Sequence, residues 1–447
     1  MKNFATIAAL AAVAAAKGNL TPITVKGNAF YKGNERFYVR GVAYQPGGAA
    51  DAQDPLLDIE GLKRDVENFK KLGINTIRIY TIDNSKNHDE GMKMLDDAGI
   101  YLALDANTPK YSLNRENEKT LRTSYNEEYL RSVFATIDAF QDYSNLMVLF
   151  SGNEVINAKN NSNAAPYVKA VTRDMKQYIN NRSPRQIPVG YSAADVAEII
   201  EQQALYFDCG TEDERADFFA FNDYSWCDFK DKLQTFEGAG WPAKMETYKN
   251  FPKPIFLSEH GCIEPNRQWG EVAAIYSEKM SAVYSGGLAY EYTVEPNNYG
   301  IVELKDGKIE PNKDFESLRE AYSKAKNPTG SAGAKESGTP SKCPPKDDDW
   351  DVEGTLLPQI PAKAVAFMKD GAGKAPGLAG AGSHFAGTPS TGTATPGSGQ
   401  ATRTPNGQAA PANSGAQGAS GANSVEIPMK FFGMIGASVL LGVALMF

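Results

Sequence analysis

Eight short apolar runs recur between residues 37 and 292, separated by stretches that repeat apolar residues at helical spacing. The runs are Phe37 to Val42, Thr76 to Tyr80, Tyr101 to Asp105, Leu146 to Ser151, Ile187 to Tyr191, Phe218 to Phe221, Pro254 to Ser258 and Gly287 to Tyr292. Between them lie Gly61 to Leu72, Asp89 to Ala98, Asn126 to Tyr143, Pro166 to Asn180 and Trp269 to Ser285, which read as amphipathic helices. A short apolar run without polar alternation is a strand buried on both faces, and strand-helix alternation implies a parallel sheet. Eight such units in about 300 residues is the size of a (β/α)8 TIM barrel, which is expected over residues 17–325.

Two of the runs stop abruptly at a glutamate. Leu146-Met-Val-Leu-Phe-Ser-Gly-Asn-Glu154 ends the fourth expected strand and Pro254-Ile-Phe-Leu-Ser-Glu-His-Gly261 the seventh. The residue at the C-terminal end of a barrel strand points into the active site. Two such glutamates make a carboxylate pair, the equipment of a retaining glycosidase, in which a carboxylic acid and a nucleophilic carboxylate stand about 5 to 5.5 Å apart. Asn153, next to Glu154, offers an amide for a sugar 2-hydroxyl. Other strand ends are polar too: Arg78 and Tyr80, Asp105 and Asn107, Tyr224, then Tyr290 and Tyr292. Tyrosine suits sugars, because its flat face covers pyranose C–H groups while its hydroxyl bonds theirs.

The ends of the chain have other compositions. Residues 1–16, with Lys2, an apolar run and three alanines, read as a secretory signal peptide. Residues 326–375 carry enough apolar side chains to pack back on the barrel. From 376 to 424, 39 of 49 residues are Gly, Ala, Ser, Thr or Pro, a composition expected to form a disordered stalk. Residues 425–447 end in an apolar tail, the layout of a GPI-anchor signal; a retained tail helix is the alternative. Either arrangement faces the body outward. Four cysteines fit that compartment. Cys227 and Cys262 follow neighbouring barrel strands on one face and are expected to pair, leaving Cys209 for Cys343. The sequons at Asn19, Asn160 and Asn181 are candidate glycosylation sites. A net charge of −8 argues against nucleic-acid binding. The three histidines show no ligand spacing, so no metal or cofactor is expected.

Six motifs in order resemble the fungal β-1,3-glucanosyltransferases of glycoside hydrolase family 72. They are Arg40-Gly-Val-Ala-Tyr-Gln-Pro-Gly-Gly48, Leu72-Gly-Ile-Asn-Thr-Ile-Arg-Ile-Tyr80, Asn87-His-Asp89 with Asp97-Ala-Gly-Ile-Tyr101, Ser151-Gly-Asn-Glu154, Asn222-Asp-Tyr-Ser-Trp-Cys227 and Leu257-Ser-Glu-His-Gly-Cys262. The resemblance spans roughly residues 20 to 370 and includes the stalk and lipid-anchor layout. It implies Glu154 as general acid/base and Glu259 as nucleophile. It also implies a groove lined by Gln45, Tyr80, Asp105, Asn107, Asn153, Tyr224 and Tyr292, with Tyr290 able to replace Tyr292 because alternation by two puts both on one strand face. Donor and acceptor would be β-1,3-glucans, and the enzyme would sit at the outer face of the plasma membrane and in the cell wall. Some relatives carry a cysteine-rich carbohydrate-binding module, which is not expected here because no cysteine follows Cys343. Two rivals stay open on sequence: an endo-β-1,3-glucanase using the same glutamates, and a non-catalytic glucan-binding wall protein.

Overall fold

A computed structural model describes residues 17–48, 53–354, 356–390 and 392–394. The expected leader at 1–16, the anchor signal at 425–447 and residues 395–424 of the expected stalk lie outside the described residues.

Three short antiparallel strands come first, β1 (Ile23–Lys26), β2 (Ala29–Lys32) and β3 (Glu35–Phe37). The barrel follows: β4 (Val39–Ala43), β5 (Thr76–Ile79), β6 (Tyr101–Asp105), β7 (Leu146–Asn153), β8 (Val189–Ala194), β9 (Phe218–Asp223), β10 (Ile255–His260) and β11 (Tyr284–Ala289). All eight pair in parallel, and β11 closes the ring on β4. Their runs lack polar alternation because one face meets the barrel interior and the other the helices. Phe150, Phe218 and Phe256 fill the interior with Met147 and Val148. Phe30 of β2 packs its ring 5.8 Å from Phe256 and 6.0 Å from Phe218, near the starts of β10 and β9. The N-terminal meander therefore closes the base, and the strand C-termini form the open mouth.

Helices α1 (Ile59–Leu72), α2 (Asp89–Asp97), α3 (Glu118–Ser124), α4 (Glu127–Phe140), α5 (Ala165–Arg182), α6 (Ile200–Asp208) and α7 (Trp241–Tyr248) lie between strands. Helix α1 shows why the sequence stops where it does. Asp58 accepts from the Gly61 amide at 3.0 Å to cap its start, and Gly73, at φ 67°, ends it in the left-handed conformation that glycine adopts freely. The single helix expected over Trp269 to Ser285 is instead two short ones, α8 (Glu271–Ile275) and α9 (Glu278–Ser281), broken at Ser277, which caps α9. The eighth strand also lies earlier than expected. Gly286 and Gly287 weaken the apolar signal where β11 runs, yet Gly286 is required there, since a Cβ would stand 2.0 Å from the Val39 carbonyl oxygen. After the barrel come the hairpin β12 (Val302–Lys305) and β13 (Lys308–Pro311) and helix α10 (Lys313–Lys324).

The extension beyond residue 325 is tied to the barrel by the Cys209–Cys343 disulfide, and Trp350 buries its ring 5.6 Å from Tyr206. The expected start of the stalk at residue 376 needs correction. Gly377 N–H donates to Asn84 at 3.0 Å, the Ser383 carbonyl accepts from Asn126 at 2.7 Å, and Thr388 N–H donates to Glu127. Strand β14 (Leu357–Pro358) pairs with β15 (Thr393–Ala394). A Gly, Ala, Ser and Thr stretch cannot bury a core of its own, but its backbone can satisfy polar side chains on a surface that is already folded.

Candidate active site

Glu259 stands at the penultimate position of β10 and is 6% exposed. Tyr80 donates to its Oε1 at 2.8 Å and Tyr224 to its Oε2 at 2.7 Å, while Arg78 Nη1 lies 3.5 Å from Oε1. Burial pushes the carboxyl up to about 7; Arg78 pulls it down, the Glu154 charge pushes it further up, and the two phenols oppose that rise. Three donors thus converge on one carboxylate and hold its charge in a place that disfavours charge.

Arg78, the third residue of β5, is fully buried and acts as the hub beneath both glutamates. Nη2 bonds both oxygens of Asp105, at 3.1 and 3.0 Å, and Oδ1 of Asn153 at 3.0 Å. Its guanidinium lies between the rings of Tyr80 and Phe150, 4.4 and 4.3 Å from their centroids. Burial raises Asp105 to about 6 even with Arg78 opposing it. Desolvation of the carboxylate outweighs the ion pair there.

Glu154 follows β7 directly and has φ 47°, uncommon for a residue with a Cβ. The surroundings fix this conformation: its N–H donates to the Ser192 carbonyl at 2.8 Å and its carbonyl accepts from Arg115. The side chain meets a different partner from Glu259. Asn222 donates to Oε1 at 2.7 Å, a neutral amide with no formal charge. That same amide reaches Asn153 Oδ1 at 3.2 Å, and Ser192 and Ser258 donate to Asn222 Oδ1 at 3.2 and 2.9 Å. The C-terminal ends of β5, β7, β8, β9 and β10 are therefore joined in one polar network under the two carboxyls.

A family model described as glucanosyltransferase matches residues 12–326. The chain belongs to the glucanosyltransferases of glycoside hydrolase family 72. It is 53% identical over 390 residues to the 1,3-beta-glucanosyltransferase gel1 of Aspergillus fumigatus, covering 85% of each chain. It is 48% identical over 377 residues to the 1,3-beta-glucanosyltransferase GAS5 of Saccharomyces cerevisiae, covering 83% of this chain and 76% of that one. A solved structure of Saccharomyces cerevisiae Gas2p, a glutamate-to-glutamine mutant in complex with laminaritetraose and laminaripentaose, superposes with TM-score 0.70. That match is at 35% identity, covering 77% of this chain and 76% of that one.

Within this family-72 barrel, the residues expected at the groove fall into two groups. Tyr80 and Tyr224 bond Glu259 directly, and Asp105 and Asn153 reach the site through Arg78. Gln45 holds the backbone at Tyr80, its Oε1 accepting from the N–H of Tyr80 and Thr81 at 3.1 and 3.0 Å. Asn107 is half-buried just past β6, and its amide oxygen has no partner among the described residues. Tyr290 packs edge-on against Tyr224, with centroids 6.3 Å apart. Tyr292 does not belong with these residues. It is fully buried between Tyr44 and Phe69, and its hydroxyl is bonded to Asp65 and Asn68 on α1. The expectation that Tyr290 and Tyr292 share a face fails because β11 ends at Ala289 and the two-residue alternation of a strand stops with it.

Four contributors lay outside the expected set. Asn222 and Ser258 stand inside the quoted motifs, where a polar residue in an apolar strand was the available signal. Ser192 at the end of β8 carried the same signal. Tyr299 sits 5.5 Å from Tyr224 and 5.4 Å from Tyr290, on a loop whose sequence has no periodicity to read. The Cys227–Cys262 disulfide joins the loops after β9 and β10 beside this tyrosine cluster.

Proposed function

We propose that this family-72 enzyme is a retaining β-1,3-glucanosyltransferase that cleaves one β-1,3-glucan internally and joins the new reducing end to the non-reducing 3-hydroxyl of another. The observation that carries the assignment of roles is the asymmetry of the two glutamates. Glu259 receives two phenolic donors and faces Arg78, as a nucleophile that must be ionised requires; Glu154 receives one neutral amide, which leaves it free to hold or release a proton.

In the first step a Glu259 oxygen bonds the anomeric carbon as the glycosidic C–O bond breaks, and the departing oxygen takes the Glu154 proton. In the second, Glu154 as carboxylate takes the proton of the acceptor 3-hydroxyl. The acceptor oxygen bonds the anomeric carbon, and the ester bond to Glu259 breaks, restoring its carboxylate. Water in place of the acceptor gives hydrolysis. Tyr224, Tyr290 and Tyr299 form an aromatic surface beside Glu259 on which an acceptor sugar can rest.

Incubating the purified protein with a reduced linear β-1,3-gluco-oligosaccharide and sizing the products by mass tests this reading. Products longer than the donor that vanish in Glu154→Gln and Glu259→Gln are expected. Only shorter products would make the enzyme an endo-glucanase on the same barrel.

The composition of the two ends supports export and a GPI anchor at the outer face of the plasma membrane, with use in building cell-wall glucan. Asn19, Asn160 and Asn181 are all exposed and open to a glycan. Release of the protein from intact cells by phosphatidylinositol-specific phospholipase C checks the anchor, and a mass shift on deglycosylation checks the glycans.

A further inference from the structure

We infer that Glu291 and Asn297 are a positioning pair that sets the Tyr290 and Tyr299 rings beside Glu259 and so favours transfer over hydrolysis. This rests on the transferase reading above and adds to it two residues that no step of the reaction uses.

Glu291 is a third carboxyl at the mouth, 4% exposed, and its Oε1 accepts from Asn297 Nδ2 at 2.7 Å. The same Nδ2 lies 3.4 Å from the Tyr290 hydroxyl, and Asn297 Oδ1 accepts the Tyr299 N–H at 3.1 Å. One asparagine therefore touches both tyrosines, and the carboxyl fixes the asparagine. The backbone completes the clamp: Glu291 N–H donates to the Tyr299 carbonyl at 3.2 Å and Glu291 C=O accepts from Ile301 at 3.1 Å. An acceptor pyranose needs those rings in a fixed place, whereas a water molecule does not. Loosening the clamp should cost the acceptor route more than the water route.

The charge state of Glu291 fits this role. The charged groups facing it are Glu259 on β10, Glu295 on its own turn and Arg267 on the loop after β10, whose guanidinium bonds Asp314 at 2.8 Å. Burial pushes the Glu291 carboxyl up to about 8, with the Glu295 and Glu259 charges adding to the rise and Asn297 and Arg267 opposing it. A neutral carboxyl accepts the Asn297 amide without adding a third negative charge to the catalytic pair.

The test is the ratio of elongated to hydrolysed products made by the full-length protein from one β-1,3-gluco-oligosaccharide donor. Asn297→Ala and Glu291→Ala are each expected to lower this ratio by about fivefold, the effect of one lost positioning hydrogen bond. Glu291→Gln keeps a neutral carbonyl for the amide and should restore the ratio. If Glu291→Ala fails to fold, Asn297→Ala, a change at a half-buried turn residue, carries the test. The inference is overturned if both alanine variants keep the wild-type ratio, or if Glu291→Gln falls with them. A wild-type enzyme that makes no elongated product would overturn the transferase reading itself, and this inference with it.

Discussion

The Tyr80 hydroxyl lies 2.8 Å from Oε1 of Glu259, a neutral donor held against a carboxyl that burial lifts to about 7. The proposed nucleophile role of Glu259 requires the ionised carboxylate, so the acidic limb of kcat/KM should lie near pH 7 in the free enzyme, with the rate falling about tenfold per pH unit below it. The Tyr80 hydrogen bond lowers that value, so its removal must raise it. Tyr80→Phe, and Tyr224→Phe by the same reasoning, should move the limb to higher pH. Initial-rate pH profiles of the three proteins check this, and a limb unmoved in both variants would show that the phenols do not support the charge.

Arg78 serves Asp105, Asn153 and Glu259 together from one planar fork, which a lysine ammonium cannot reproduce. Arg78→Met leaves Asp105 as a buried carboxylate without its cation and should cost about 3 to 5 kcal/mol in urea unfolding. Arg78→Met with Asp105→Asn should recover part of that stability, since the Asp105 charge is removed while Glu259 stays without its cation. Activity should not return in the double variant, because Glu259 still lacks its cation.

The barrel was legible because its apolar runs and helical stretches each carry a period that packing enforces. Glu154 and Glu259 were legible because a charged residue ending an apolar strand is costly unless the mouth uses it. Tyr292 was misplaced for a physical reason: alternation assigns faces only while the backbone is extended, and β11 ends at Ala289. Tyr299, Glu291 and Asn297 owe their positions to a loop folded by side-chain contacts, and no period records those. The segment 376–394 failed in the opposite sense, since its composition describes what it can bury and not what it can bond to.

That segment gives a direct stability test. Asn84 and Asn126 are 6% and 0% exposed, and both bond backbone groups of residues 377 and 383. Ending the chain at residue 375 strips those partners and the β14–β15 pairing, whereas ending it at 394 keeps them. The shorter protein should lose about 1 to 3 kcal/mol, from two lost side chain–backbone hydrogen bonds together with lost packing. Thermal melts of the two truncated proteins check this; equal midpoints would show that the contacts add nothing to stability.

Glu259 should also burden the fold that holds it. Its carboxyl titrates near 7 when folded, against 4.5 for an unperturbed glutamate. A raised folded value means that the folded state holds the proton more tightly. The stabilising contribution is complete below about pH 4.5 and is lost as pH rises through 7. Glu259→Gln imitates the protonated acid at every pH, so it should match the wild type near pH 4 and exceed it at pH 8 by on the order of 2 to 3 kcal/mol. Urea unfolding of both proteins at the two pH values measures the difference. Growth of the gap with pH would mean that the site keeps an ionised nucleophile at the expense of stability, as active sites built on strained or desolvated charge do. A gap that does not change with pH would mean that Tyr80, Tyr224 and Arg78 solvate the folded carboxylate as well as water does, and the acidic limb near pH 7 would then have to belong to another group.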